Sequence, residues 1–135
     1  MSSFHLKIVT PDGVQFDGQA ELLTVRTTSG DMGIMAGHVN CVAPLGMGQA
    51  TVVTDGKKRF GACIGGILSV MNGEVNLVPT TFEWAEDIDA ERAANAAERA
   101  RKILDDKNRS KIDLRLAQAR LRRALVRQSV AQHHT

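Results

Sequence analysis

An α+β fold, mainly β in its N-terminal part, is predicted by three observations. Eleven of the twelve glycines precede residue 70. Short alternating apolar segments fill roughly the first 80 residues, the two-residue period of half-buried strands. From Trp84 to the end there is neither glycine nor proline, and alanine and arginine dominate. Residues 1–84 therefore read as a β-sandwich or flattened barrel, and residues 85–135 as an antiparallel two-helix hairpin.

The strands follow in order. "FHLKI" puts Phe4, Leu6 and Ile8 on one face before "TPDG" turns the chain. "VQFDG" and "AELLTVRTT" come next, each ending near glycine or a polar cluster. "TVVTDGKKRFGACI" predicts a hairpin turning at Asp55-Gly56. "ILSVMNGEVNLV" predicts another at Asn72-Gly73, a pair suited to the positive φ angles of a type I′ turn.

The first helix should begin near Ile88, capped by Asp87 or Asp89, with neighbouring carboxylates complementing the positive end of its dipole. Ala93, Ala97, Ala100 and Leu104 form one stripe on a 100° wheel. "DDKNRSK" interrupts the pattern, and Asp106, Asn108 or Ser110 is placed to cap a second helix running to about Val130. Its apolar stripe is Leu114, Ala117, Leu121, Ala124 and Leu125. Alanine-rich seams bury little apolar area, worth about 25 cal/mol per Å², so the hairpin should be mobile.

Composition narrows the functional classes. Apolar residues make up 43% of the chain, an ordinary globular value. No apolar run approaches the ~18 residues of a membrane span, and "MSSFHLKIVTPDG" lacks the features of a secretory signal, so a cytosolic protein is expected. Cys41 and Cys63 show no CxxC spacing and read as small buried side chains rather than a disulfide. The four histidines add no metal-ligand pattern, and the His133–His134 pair receives no role. Net charge is only +2, but residues 1–87 carry five Lys/Arg against nine Asp/Glu, whereas residues 109–135 carry seven against one. That asymmetry points to an anionic partner or to attraction between the halves.

Arg92 and Arg99 lie seven apart on the first helix, and Arg120, Arg123 and Arg127 share a face of the second. Asp89 stands three residues before Arg92, at the spacing of a local ion pair. If the hairpin closes on its alanines, the two arginine sets flank one groove that suits a polyphosphate, because guanidinium pairs well with phosphate oxygens. The same spacing also describes an ordinary solvated helix face, whose ion pairs are each worth about 0–1 kcal/mol. Two other classes compete. A nucleic-acid-binding module using the basic helix lacks aromatic residues there for base stacking. A nucleotide-hydrolysing enzyme lacks both a GxxxxGK[ST] loop and an obvious carboxylate pair.

Along both halves, in order, the segments "VTPDG" (9–13), "TTSGDMGIMAGH" (27–38), "APLGMG" (43–48), "GGILSV" (65–70) and "EDIDAERA" (86–93) carry a resemblance. The chain resembles the epsilon subunit of bacterial F-type ATP synthase. The resemblance implies a non-catalytic rotor subunit of the central stalk, peripheral on the cytoplasmic face of the bacterial membrane. It also implies partners in the gamma subunit, the c-ring and the alpha/beta catalytic ring. The family's Ile-Asp-x-x-Arg-Ala signature stands here as Ile88, Asp89, Arg92 and Ala93. In members that bind ATP as a regulatory ligand, released unhydrolysed, that signature belongs to the nucleotide site, with further contacts matching Glu83, Arg99, Arg123 and Arg127. No catalytic or metal-ligating residue is implied, and a magnesium requirement is left open. Asp31 matches the region facing the ring, and His38 the surface facing gamma. One departure is visible: the family often reads Pro-Leu-Val where this chain has Asn40-Cys41-Val42.

Overall fold

The computed structural model describes residues 2–134, which divide into two compact units meeting after Trp84. The first unit contains β1 (Phe4–Thr10), β2 (Gly13–Ala20), β3 (Leu22–Thr27), β4 (Gly30–Ile34) and β5 (Cys41–Pro44). It continues through β6 (Met47–Thr54), β7 (Lys57–Ile64), β8 (Ile67–Met71), β9 (Glu74–Val78) and β10 (Thr81–Trp84). These form two five-stranded sheets, ordered β2-β1-β9-β8-β5 and β10-β7-β6-β3-β4. The β-sandwich expectation is met.

The two-residue period sets which side chains enter the core. Phe4, Leu6 and Ile8 are buried as their alternation requires, and meet Leu68, Val70, Val75 and Leu77 within their own sheet and Leu23, Val25 and Val52 from the other. β1 pairs antiparallel with β2, with a bulge between Ile8 and Val9, and parallel with β9. Both predicted tight turns form: Asn72 and Gly73 have φ of 50° and 83°, and Asp55 and Gly56 have 53° and 73°. β4, β5 and β10 were not separately legible, because glycines and a short span weaken their alternation.

Trp84 ends the sandwich in an aromatic cluster. Its ring lies edge-on to Phe82 at 4.9 Å and Phe16 at 6.3 Å between centroids, and its indole N–H donates to the Gln15 carbonyl at 3.2 Å. The Arg59 guanidinium covers it at 3.8 Å from the ring centroid, a cation–π contact.

Both cysteines are free thiols. Cys63 is buried, and desolvation pushes its pKa up to about 12, so the nucleophilic thiolate is scarce at any ordinary pH. Cys41 is only half-buried. Titration of the native chain with a thiol reagent should therefore modify Cys41 quickly and Cys63 only after unfolding. Equal rates for both would contradict the burial.

The second unit opens with a single 3₁₀ turn, Ala85–Asp87, followed by α1 (Ala90–Leu104) and α2 (Lys111–Ala131). The connecting loop spans residues 105–110, and the helices pack antiparallel through a seam of buried Ala93, Ala97, Ala100, Ala117 and Ala124. Alanine is the smallest side chain with good helix propensity, so it permits close approach without loss of helicity. One stripe residue departs from the wheel: Leu125 is exposed, and Val130 is buried near the end of α2. The face in contact is set by packing against α1, and it turns Leu125 away.

Candidate functional site

The hairpin gathers arginines. A groove of about 280 Å³ between α1 and α2 is lined by Arg99, Arg120, Arg123 and Arg127, with Ala96, Ala100, Ile103 and Ala124 beside them. That volume is near the lower end of small-molecule sites, about 300 Å³. Arg99 comes from α1; the other three are spaced three and four apart on α2, so their side chains leave the helix on one side. Small residues form an apolar wall suited to a flat ring, and the arginines beside them supply cationic groups suited to phosphate oxygens.

Not every candidate reaches this groove. Arg92 is exposed two turns before Arg99, roughly 10 Å along the axis at 1.5 Å per residue, and is not part of the lining. Ile88 is half-buried and Ala93 buried in the seam, so both support the helix entry. Glu83 is half-buried in the middle of β10, opposite Ala62 on β7, and belongs to the other unit. Arg120 shares a helix face with Arg123 and Arg127 but lies outside the set the resemblance implies; it stands on the groove wall.

Asp89 has a defined local task. Its carboxylate accepts the Arg92 backbone N–H at 3.0 Å, the N-cap contact, rather than pairing with the Arg92 guanidinium. Ser110 caps α2 likewise, accepting the Asp113 N–H at 3.1 Å. In the loop, the Asn108 N–H and then the Arg109 guanidinium hold the Asp106 carboxyl below its usual range. Asp89→Ala should cost the hairpin about 1 kcal/mol, and Asp89→Ser, which retains a capping oxygen, much less. Thermal melts followed by helical circular dichroism check this; equal losses in the two variants would contradict the capping role.

The sandwich offers a different surface. Alternation that buries Leu68, Val70, Val75 and Leu77 sends Val42, Ile67, Met71 and Val78 outward, and all four are about half exposed or more. Pro44, Ile67 and Val78 align across β5, β8 and β9. The neighbouring loop adds Met35 and Val39, the latter 74% exposed, and contains His38, whose Nδ1 contacts the Val39 carbonyl oxygen at 2.8 Å. Asn40 ties that loop to the β8–β9 turn by accepting the Asn72 N–H at 2.8 Å, a contact proline cannot make. The substitution noted in the sequence thus gains a structural use. Asp31 lies on β4, at the edge of the other sheet, its carboxylate 3.6 Å from Arg26 Nε. Sequence reasoning missed the apolar face, although outward valine and isoleucine at alternate positions of β5, β8 and β9 are its visible sign.

Among the described residues, no group of three or more His, Cys, Asp or Glu is placed to hold a metal ion, and no helix is long and apolar enough to cross a membrane.

The chain thus combines a ten-stranded β-sandwich that has an apolar outer face with a two-helix hairpin that has an arginine-lined groove. Residues 3–85 match the β-sandwich domain of the ATP synthase delta/epsilon chain, and residues 86–132 match that chain's long α-helix domain. The protein belongs to this family of non-catalytic ATP synthase subunits. It is 37% identical over 133 residues to the ATP synthase epsilon chain of Shouchella clausii, covering 98% of each chain. It is 40% identical over 131 residues to that of Bacillus velezensis, covering 97% of this chain and 98% of the other. A chain in the mitochondrial ATP synthase structure of Euglena gracilis, comprising OSCP, F1 and c-ring, superposes with a TM-score of 0.84 at 25% identity, over 96% of this chain and 81% of that one. A chain from the Tetrahymena thermophila central stalk and c-ring shares the fold, with a TM-score of 0.66 at 12% identity, over 94% and 95% of the two chains. None of these similarities points to nucleic-acid binding.

Proposed function

We propose that the chain is a central-stalk subunit of an F-type ATP synthase whose sandwich docks on the rotor and whose hairpin regulates hydrolysis in response to ATP. The complex lies peripherally on the cytoplasmic face of a bacterial membrane. The apolar β5-β8-β9 face and the His38 loop form the surface for gamma, and the Asp31 edge approaches the c-ring. Exposed aliphatic side chains clustered on one sheet face are the mark of an interaction surface.

The observation that carries the regulatory reading is the convergence of Arg99, Arg120, Arg123 and Arg127 on one groove of the folded hairpin. Only a closed hairpin has that groove, so ATP binds one state preferentially. A ligand selective for the folded state stabilises it by RT ln(1 + [L]/Kd), about 2.7 kcal/mol at a hundredfold excess over Kd. The population then shifts about a hundredfold. The alanine seam buries so little that such a bias decides the outcome. With ATP abundant the hairpin stays closed and turnover proceeds. On depletion it extends, and α2, basic along much of its length, reaches acidic segments of the alpha/beta ring and blocks hydrolysis. ATP is released unchanged.

A chain ending at Trp84 tests both halves of this proposal, because the sandwich has its own core. Reconstituted into the complex, it should assemble and support coupled synthesis while losing inhibition of hydrolysis. Failure to assemble overturns docking through the sandwich. Undiminished inhibition overturns the regulatory hairpin.

A further inference from the structure

On the outer face of the β2-β1-β9 half of its sheet, His5 sits between two acids. Its Nε2 is 2.6 Å from Asp17 Oδ1 on β2, and its Nδ1 is 2.5 Å from Glu74 Oε2 on β9. A neutral imidazole has a single N–H, so it donates to one carboxylate only and turns a lone pair toward the other. Two ring nitrogens each facing a carboxylate oxygen at these separations suit the doubly protonated cation, which donates to both. We propose that His5, Asp17 and Glu74 form a pH-sensitive side-chain tie, in which one imidazolium links edge strand β2 to the parallel pair β1 and β9 and the link is lost when it loses its proton.

The position suits such a device. β2 is an edge strand whose one ladder partner in the sheet is β1, across a bulge at Ile8/Val9. His5 opposes Glu74 directly in the β1–β9 register, and the Asp17 carboxylate reaches back from two residues along β2. The charged groups facing it are Asp17 from β2, Glu74 from β9 and, on β1 itself, Lys7, which lies opposite Asp17. Hydrogen bonds from Asp17 first and Glu74 second raise the His5 pKa above its ordinary value of 6.5. The hydrogen bond with His5 lowers that of Asp17 below its ordinary 3.8. Because the His5 value is raised on folding, its contribution is complete below the ordinary imidazole value and is lost as pH rises through the folded value. Because the Asp17 value is lowered, its share is present above the ordinary carboxylate value and lost as pH falls through the folded one. The tie thus holds across the acid-to-neutral range and opens with alkalinisation, independently of the nucleotide groove.

Long-range nitrogen–proton NMR of the imidazoles in the intact chain reads the proton count directly. Near neutral pH, His5 should show both ring nitrogens protonated and titrate above the ordinary imidazole value, and Asp17→Asn or Glu74→Gln should each lower its midpoint. A second readout is melting temperature: the wild type should exceed His5→Gln at mildly acid pH, and the gap should close above the His5 midpoint. A single protonated nitrogen near neutrality overturns the tie, as does a melting gap that is absent at acid pH or unchanged across the range.

Discussion

Replacing Arg99 and Arg123 together by alanine should remove measurable ATP binding at millimolar nucleotide. In the proposed site each arginine lining the groove contributes a charge-assisted contact to phosphate, worth about 1.5–3 kcal/mol apiece. Either single variant should therefore weaken binding by about ten- to hundredfold. Because both side chains serve one groove, the double variant need not equal the product of the singles, but it leaves only Arg120 and Arg127 on the wall. Arg115→Ala supplies the control: it is exposed on α2 outside the groove and should bind as wild type. Calorimetric titration of the full chain, with and without magnesium, provides the affinities. Equal losses in the groove variants and in Arg115→Ala would show that general basicity, not the groove, attracts the nucleotide. Arg120→Ala is informative as well, because that residue lines the groove but lies outside the set the family resemblance implies.

Gly66→Ala should be the most damaging small substitution in the sandwich. The residue has φ of 96°, where a side chain is strained, and an added Cβ would lie 2.1 Å from the Val78 carbonyl oxygen and 2.6 Å from Pro79 Cα. Both neighbours are backbone atoms that rotamer changes cannot move. Strain alone costs about 1–3 kcal/mol, and the collision adds to it, giving about 3 kcal/mol or more. For a unit of this size the melting temperature should fall by roughly 12 °C or more. Gly73→Ala isolates the conformational part. Its φ is 83°, but an added Cβ meets nothing within 4 Å, so its loss should be much smaller. Similar melting temperatures for the two variants would contradict the close approach of the β7–β8 corner to Val78.

Why some features were legible in the sequence follows from the range over which they are determined. Asn72-Gly73 and Asp55-Gly56 fix their turns within two residues, so the hairpins could be placed without tertiary knowledge. The Phe4, Leu6 and Ile8 face is equally local, since the pleat sends alternate residues to one side. The order β2-β1-β9-β8-β5 is not local: the parallel β1–β9 pairing joins segments about 70 residues apart, and no motif announces it. Within the hairpin, the wheel placed Arg120, Arg123 and Arg127 on one side because helical geometry alone decides that. Which α1 arginine faces them depends on rotation and stagger between the helices, so Arg99 joins the groove and Arg92 does not. Leu125 shows the same limit, lying near the edge of a stripe whose limits are set by the partner helix. The His5 tie was invisible for a related reason: it draws single residues from three strands.

The most direct test of the regulatory account places probes at Glu91 and Ser129, exposed positions near the ends of α1 and α2 remote from the connecting loop, and follows their separation in the assembled synthase as ATP is added. The account predicts that ATP increases the short-distance population, that inhibition of hydrolysis falls in step, and that the Arg99→Ala, Arg123→Ala variant shows neither response. A separation indifferent to ATP, with inhibition still rising and falling as ATP changes, would contradict it.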